Sequence, residues 1–336
     1  MKLREELEQK TWDALASSVA HATFLQSWAW GEGQAALGKE VKRFVIEEHG
    51  EPRFIAQALK ETRKGLAYWF VPGGPVCINQ KSTESIEYRV WEEVTELLKK
   101  ELLRGMAVFL RVEPLLELDT QYPIPDTVSW LSTKSFNPAI RWMLDLRDKT
   151  EAKLLEEMEQ KTRYNVKLGE KQGVTTRCSI DERDFAIFLS LTQEMAQRNK
   201  IVVHSDRYLR ETFFAMAKRG MAQLRVAEYA GTVLAASIEV TFGDTVTYLH
   251  GASSSLQREV KAPNVLQWQA IQAALKKGAD WYDFGGCNPI EKTHPLYKTS
   301  LEGVTRFKEG WGGRRVEMVG TFILPRFGWM GRFLVK

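Results

Sequence analysis

This sequence predicts an α/β protein made of two similar domains. Three observations carry the prediction. The order helix, strand, helix, paired strands, helix, strand can be read twice along the chain. Glycine, proline and aspartate turns break the segments at short spacings. A chain of 336 residues also matches two domains of ~100–200 residues each. Short-range sequence identity between the halves is not evident, so the duplication rests on element order.

In the first half, residues 4–20 read as a helix with Leu3, Leu7, Trp12 and Leu15 on one face. A second helix spans 27–37, capped near Gln26-Ser27. Residues 42–48 form a strand that turns at His49-Gly50-Glu51-Pro52 into a strand over 53–60. Another strand, 66–71, ends at Pro72-Gly73-Gly74-Pro75. A long amphipathic helix covers 84–104 and stops at Gly105, and strands follow at 107–111 and 142–146.

The second half begins with helices over 151–159 and 161–172, the latter ended by Gly173. A strand over 174–179 leads to a helix over 181–198 with Asp181 at its start, then a helix over 206–219 closed by Gly220. Strands at 223–229, 232–242 and 245–251 are joined by turns at Ala230-Gly231 and Gly243-Asp244. A helix over 264–277 stops at Gly278, and an apolar strand over 280–284 follows. The domain break falls near 146–150, giving a first domain of 1–147 and a second of 148–315.

With 44% hydrophobic and 27% charged residues, the composition is that of an ordinary globular protein. A net charge of +4 suits acidic or phosphorylated partners without demanding a nucleic-acid groove. The three cysteines, Cys77, Cys178 and Cys287, are scattered and unpaired in sequence, so neither a zinc site nor a disulfide framework is expected. No metal or cofactor is expected either. The charged start lacks an apolar signal core, and no apolar run reaches 18 residues, so the cytoplasm is the expected location. The aromatic, basic segment 322–336 suits either packing on its own domain or contact with the inner membrane surface.

The chemistry concentrates late in the chain. Trp281-Tyr282-Asp283-Phe284-Gly285-Gly286 reads as an aromatic strand ending in paired glycines, where backbone can approach a ligand. Phe307-Lys308-Glu309-Gly310-Trp311-Gly312-Gly313 then sets one cation between an aromatic residue and a second glycine cluster. The plainer alternative is a strand, a bulged turn and a strand end with Lys308 solvated. Nucleotide-loop, hydrolase-elbow and zinc-protease motifs are absent. His204 and Tyr208 stand four apart around a helix start, and Tyr248 and His250 alternate on a strand and are expected to point to the same face. Asn264 begins a helix whose N–H groups could hold an anion. With Lys308, these residues suggest a phosphate- or carboxylate-reading cleft. Arg163, Lys167 and Lys171 form a basic helical stripe that suits a polyphosphate backbone or simply solvent.

These residues, taken together, resemble the FemABX peptidyltransferases. The likeness runs through Phe24-Leu25-Gln26-Ser27 with Trp30-Gly31, Val71-Pro72-Gly73-Gly74-Pro75-Val76, and Lys161-Thr162-Arg163-Tyr164-Asn165-Val166-Lys167. It continues with Tyr248-Leu249-His250-Gly251, Pro263 to Trp268, Tyr282-Asp283-Phe284-Gly285-Gly286 and the stretch from Gly303 to Gly313. The resemblance implies two tandem acetyltransferase-like (GNAT) domains, with 316–336 returning to the first and no coiled-coil arm. It implies an aminoacyltransferase that moves an amino acid from aminoacyl-tRNA to the stem peptide of UDP-MurNAc-pentapeptide or a lipid II-like precursor, acting as a monomer. Lys308, beside Phe307, is expected to steady charge during acyl transfer. His204 and Tyr208 stand where the family reads a pyrophosphate with Arg and Tyr, and Arg163, Lys167 and Lys171 are the expected tRNA contacts. Gly33 and Gln34 occupy the place of a basic residue that follows the family's Trp, here Trp30, so Lys39 is the expected replacement charge. Asp283 is either a proton acceptor or a loop cap. Other acyl donors, such as acyl-CoA, and a non-catalytic binding module are the alternative readings.

Overall fold

The computed structural model describes residues 1–78, 88–118 and 131–328. The chain divides into two compact units, Met1–Ala139 with Val316–Lys336, and Ile140–Arg315. Residues 84–87 of the long predicted helix and 329–336 of the aromatic tail lie outside the described residues.

Unit one opens with a strand, β1 (Lys2–Glu5), where the apolar spacing predicted helix. Leu3 pairs opposite Ile46 at the sheet edge. Glu6 then turns the chain, its carboxylate accepting the N–H groups of Leu7 and Glu8. Helix α1 (Gln9–Ser17) therefore starts later and buries Trp12 and Ala16, while Leu7 is left 79% exposed. Edge pairing outweighs a helix tendency that is weak in so short a segment. Ser27 caps α2 (Trp28–Ala36) by accepting the Trp30 N–H at 3.2 Å.

β2 (Val41–Glu48), β3 (Glu51–Arg63), β4 (Leu66–Pro72) and the two-residue β5 (Val76–Cys77) follow. Helix α3 (Tyr88–Leu102) leads to β6 (Phe109–Glu113) and β7 (Leu131–Thr133). Trp91, Val94, Leu98 and Leu102 recur at helical spacing on α3 and share a core with Phe54, Trp69, Leu110, Phe322 and Leu324.

Unit two starts with β8 (Ile140–Asp145). The sequence reading placed this strand in the first domain, but it pairs antiparallel with β13, Trp281 opposite Asp145 and Tyr282 opposite Leu144. Its run of buried Trp142, Met143 and Leu144 is what a strand covered on both faces requires. Helices α4 (Glu151–Glu157) and α5 (Gln160–Gln172), strand β9 (Thr175–Ser179), and helices α6 (Glu182–Asn199) and α7 (Asp206–Ala217) come next. The meander β10 (Ala222–Tyr229), β11 (Thr232–Phe242) and β12 (Thr245–Ser253) precedes α8 (Ala262–Lys276). Next come β13 (Trp281–Gly286), α9 (Glu302–Glu309) and β14 (Arg314–Glu317), whose last two residues already belong to the return segment of unit one. The longest helix among the described residues is α6, at 18 residues. None of them is long and apolar enough to cross a membrane.

The chain then supplies β15 (Thr321–Pro325), which pairs with both β6 and β7. Phe322 and Leu324 are buried there, so the first residues of the aromatic tail are core strand and are not available to a membrane surface. The two sheets run β1-β2-β3-β4-β6-β15-β7 and β9-β10-β11-β12-β13-β8-β14, with β5 attached to β3. Both orders run through five strands in chain order and then take a sixth from outside that run, β15 from the far end of the chain in one and β8 from before β9 in the other. In each, the fourth and fifth strands pair in parallel, β4 with β6 and β12 with β13.

Candidate active site

In unit two the parallel ladder between β12 and β13 runs from Thr245 opposite Trp281 to Thr247 opposite Asp283, although both strands continue further. Each strand bulges where the ladder stops. On β12, Tyr248 lies opposite Glu239 and His250 opposite Ile238, so two steps there match one step on β11. Ile238 and Glu239 are neighbours and face opposite sides of the sheet. Tyr248 and His250 therefore face opposite sides too, contrary to the expectation from simple alternation. The extra residue, Leu249, is the cause. Gly251 supports this independently, because a Cβ there would lie 1.6 Å from the Tyr248 hydroxyl. The phenol thus lies over residue 251 on its own side of the sheet. Burial and the Glu239 carboxylate raise its pKa and keep it neutral.

On β13, Asp283 lies opposite Met143 and Gly286 opposite Arg141, three steps against two. Gly285 takes the extra turn with φ +72°, a conformation that favours glycine. The Asp283 carboxylate, 2% exposed, fastens the bulge. Its Oδ1 accepts the Gly285 N–H at 2.7 Å, and its Oδ2 accepts the Arg141 guanidinium. With both oxygens taken by donors, Asp283 is placed as a cap for the bulge and not as a proton acceptor.

The bulge presents the Gly286 carbonyl to Lys308, whose Nζ donates to it at 2.5 Å. Lys308 comes from helix α9, where the plainer sequence reading placed a strand end, and it is 6% exposed. Thr305, one turn earlier on the same helical face, accepts the Asn288 N–H at 2.9 Å. The Asn288 side chain in turn bonds the backbone of Lys298 at 2.9 and 3.0 Å. This clamp fixes the loop between β13 and α9, and with it Lys308. Burial pushes the Lys308 pKa down to about 8, with Asp283 and Cys287 raising it and Arg141 lowering it further. At neutral pH the group is still mostly an ammonium. Such a buried cation, beside main chain that has left its ladder, can donate to an oxygen that becomes negative during reaction.

A second group gathers at the start of α7. Ser205 caps that helix through the Tyr208 N–H at 3.2 Å. The His204 ring stacks on Tyr208 with centroids 4.3 Å apart and meets the edge of His250 at 5.8 Å. The structure thus brings together His204, Tyr208 and His250, with Tyr248 on the other face of the sheet. Burial, helped by the neighbouring His204, pushes the His250 pKa down to about 3. His250 is a neutral hydrogen-bonding ring at physiological pH, and it offers an anion no charge.

The remaining predicted residues serve mostly structural ends. The Arg163 guanidinium donates to the carbonyls of Leu155 at 2.9 Å, Glu156 at 3.1 Å and Met158, capping the end of α4. Lys167 and Lys171 are exposed on α5. Helix α8 begins at Ala262, two residues before the predicted start, so the Asn264 N–H already donates to the Lys261 carbonyl at 2.9 Å. Its first turn lies against α5, where a Cβ on Gly169 would be 2.5 Å from Val265 and 2.9 Å from the Val260 carbonyl oxygen. That helix start is covered, which argues against an anion there. Phe307 is half-buried, its ring edge-on to Trp311 at 5.8 Å.

In unit one, Trp30 is buried on α2. A Cβ on the adjacent Gly31 would lie 2.3 Å from Gln57 Oε1 and 2.4 Å from Arg43 Nη2. The Trp-Gly pair is therefore a packing device that lets α2 settle over a buried Arg43–Gln57 contact of 2.7 Å. Gln26 and Gln57 interlock, the Gln57 N–H donating to Gln26 Oε1 at 2.7 Å. Lys39 is engaged by Glu61 at 2.6 Å and Gln34 at 2.8 Å, so its charge is already balanced and does not replace a substrate-facing cation. Arg141 escaped the sequence reading. It stands 142 positions from Asp283, and no local pattern links them.

Comparison with known proteins agrees with this fold. Lipid II:glycine glycyltransferase from Staphylococcus aureus is 21% identical over 92% of this chain and 90% of its own length. A crystal structure of FemX superposes with a TM-score of 0.84 at 18% identity, covering 100% of both chains. A tandem GNAT protein from the clavulanic acid biosynthesis pathway superposes at 0.52 with 12% identity, covering 97% of this chain and 98% of that one. These likenesses support two GNAT-like domains. The FemAB family model matches residues 131–233 and 216–327, which hold every element of unit two from β8 to β14 and continue through β15. That match covers more than half of the sequence, and the chain belongs to the FemAB family.

Proposed function

We propose that this protein is an aminoacyltransferase that moves an amino acid from aminoacyl-tRNA to the stem peptide of a peptidoglycan precursor, building the interpeptide bridge. The buried ammonium of Lys308, held at the Gly286 carbonyl beside the end of the β12–β13 ladder, is the observation that carries this reading. An acceptor amine attacks the ester carbonyl of the charged tRNA. The ester is already activated, so positioning and electrostatics provide most of the acceleration. Lys308 donates to the carbonyl oxygen as it becomes anionic, or to the ribose oxygen as it leaves. The acceptor amine passes its proton to substrate or water.

The acceptor is a lipid-linked precursor, as the name of the staphylococcal relatives suggests, or its UDP-linked counterpart. His204 and Tyr208 contact its diphosphate, and the exposed Lys167 and Lys171 meet the tRNA backbone. The protein works as a monomer in the cytoplasm, where charged tRNA is made. Purified protein incubated with labelled aminoacyl-tRNA and either precursor is expected to yield a labelled precursor. Turnover of acyl-CoA in place of tRNA, or binding without turnover, would replace the proposal with another acyltransferase or a binding module.

The His204→Arg variant is expected to tighten precursor binding roughly tenfold at pH 7, since a charge-assisted hydrogen bond contributes ~1.5–3 kcal/mol. His204→Ala should weaken it. Titration calorimetry across mildly acidic to neutral pH checks both. Equal affinity and equal pH dependence in wild type and both variants would remove His204 from the diphosphate site.

A further inference from the structure

The geometry points to Arg141 and Asp283 as positioning residues for Lys308, a paired charge that fixes where its ammonium sits and whether it stays charged. This rests on the transfer reaction proposed above, and it names two residues which that reading leaves without a part.

Lys308 approaches the site through one backbone carbonyl, that of Gly286. The position of that carbonyl depends on the β13 bulge, and the bulge depends on Asp283 holding the Gly285 N–H. Arg141 is placed opposite Gly286 by the register of β8 and β13 and binds the other oxygen of Asp283. One continuous chain of contacts therefore runs from Arg141 through Asp283 and the glycine pair to Lys308. Its members lie deep, with the Arg141 side chain 13% exposed and that of Asp283 2% exposed. The Arg141 Nε is buried with no hydrogen-bond partner among the described residues.

The two charges act on Lys308 in opposite senses. Asp283 favours the ammonium and Arg141 disfavours it. The other groups facing Lys308 stay quiet in this range. Burial raises the Cys287 thiol pKa, with Arg315 and Lys308 opposing. Burial makes the main shift, and the opposed charges of Asp283 and Arg141 adjust it from either side. Removing the negative partner should discharge the lysine at lower pH, and removing the positive partner should hold its proton to higher pH.

The test reads the Lys308 titration directly, with no substrate present. The rate at which a trace of acetic anhydride modifies Lys308, followed by mass spectrometry of its peptide, rises as the amine loses its proton. Asp283→Asn keeps an oxygen for Gly285 and should lower the midpoint by about one unit or more, while Arg141→Gln should raise it by a smaller amount. Arg141→Lys keeps the charge and should restore the wild-type midpoint in part. The alkaline limb of the transfer rate should move with the midpoint in each variant. Should Asp283→Asn fail to fold, the two Arg141 variants still decide the matter. Midpoints that stay put, or that move in the same direction for Asp283→Asn and Arg141→Gln, overturn the inference. If the titrations shift as stated but wild type transfers nothing, the pairing stands and the aminoacyltransferase reading falls.

Discussion

Replacing Lys308 with alanine is expected to reduce transfer on the order of a hundredfold, the usual loss on removing one donor from a developing oxyanion. The fall should appear in kcat with little change in KM, because the contact strengthens only as charge develops. Folding should survive. The substitution removes a charge that burial disfavours and one hydrogen bond to Gly286, and these effects oppose each other. Single-turnover transfer with saturating charged tRNA, alongside circular dichroism, separates the two. Undiminished turnover in a folded variant would take Lys308 out of the mechanism. Lys308→Arg should recover only part of the rate, since a planar guanidinium cannot replace a compact ammonium against a single carbonyl.

The largest expected effect on stability is at Gly313. Its φ is +89°, and a Cβ would lie 2.3 Å from the Met143 carbonyl oxygen and 3.1 Å from the Leu144 Cα. Both are backbone atoms of β8, so no side chain can swing aside. Gly313→Ala therefore combines left-handed strain with a clash against a buried strand, and a loss of roughly 3 kcal/mol or more is expected. Gly303 is the control. It lies in α9 with nothing within 4 Å of the added carbon, so Gly303→Ala should be neutral or slightly stabilising. Thermal melts of both variants check the contrast, and equal melting temperatures would contradict it.

Local patterns made much of unit two legible. The turns at Ala230-Gly231 and Gly243-Asp244 separate β10, β11 and β12 where the structure separates them, because two-residue hairpin turns need positive φ, which glycine supplies at Gly231 and Gly243. The glycine clusters also drew attention to Asp283 and Lys308, which the structure joins through the β13 bulge. What escaped depends on partners distant in sequence. β1 is a strand only because β2 offers it an edge. β8 joins the second sheet through residues more than 130 positions away. The bulge at Leu249 reversed the facing of His250, and it is visible only against the register of β11. Arg163 read as a surface cation because sequence alone does not reveal the carbonyls at the end of α4. Arg141 carried no sequence signal at all.

The order of strands also dictates an order of events during synthesis. Domains usually finish in the sequence in which they leave the ribosome. Here the first sheet needs β15 between β6 and β7, and that strand is made only after all of unit two. The second sheet has every strand it needs by Glu317, whereas the first must wait for residues 321–325. Until then β6 presents an unpaired edge, the kind of surface that recruits wrong partners. The domain begun first is thus completed last, and a nascent chain interrupted just beyond residue 317 would carry a finished second domain behind an unsealed first one.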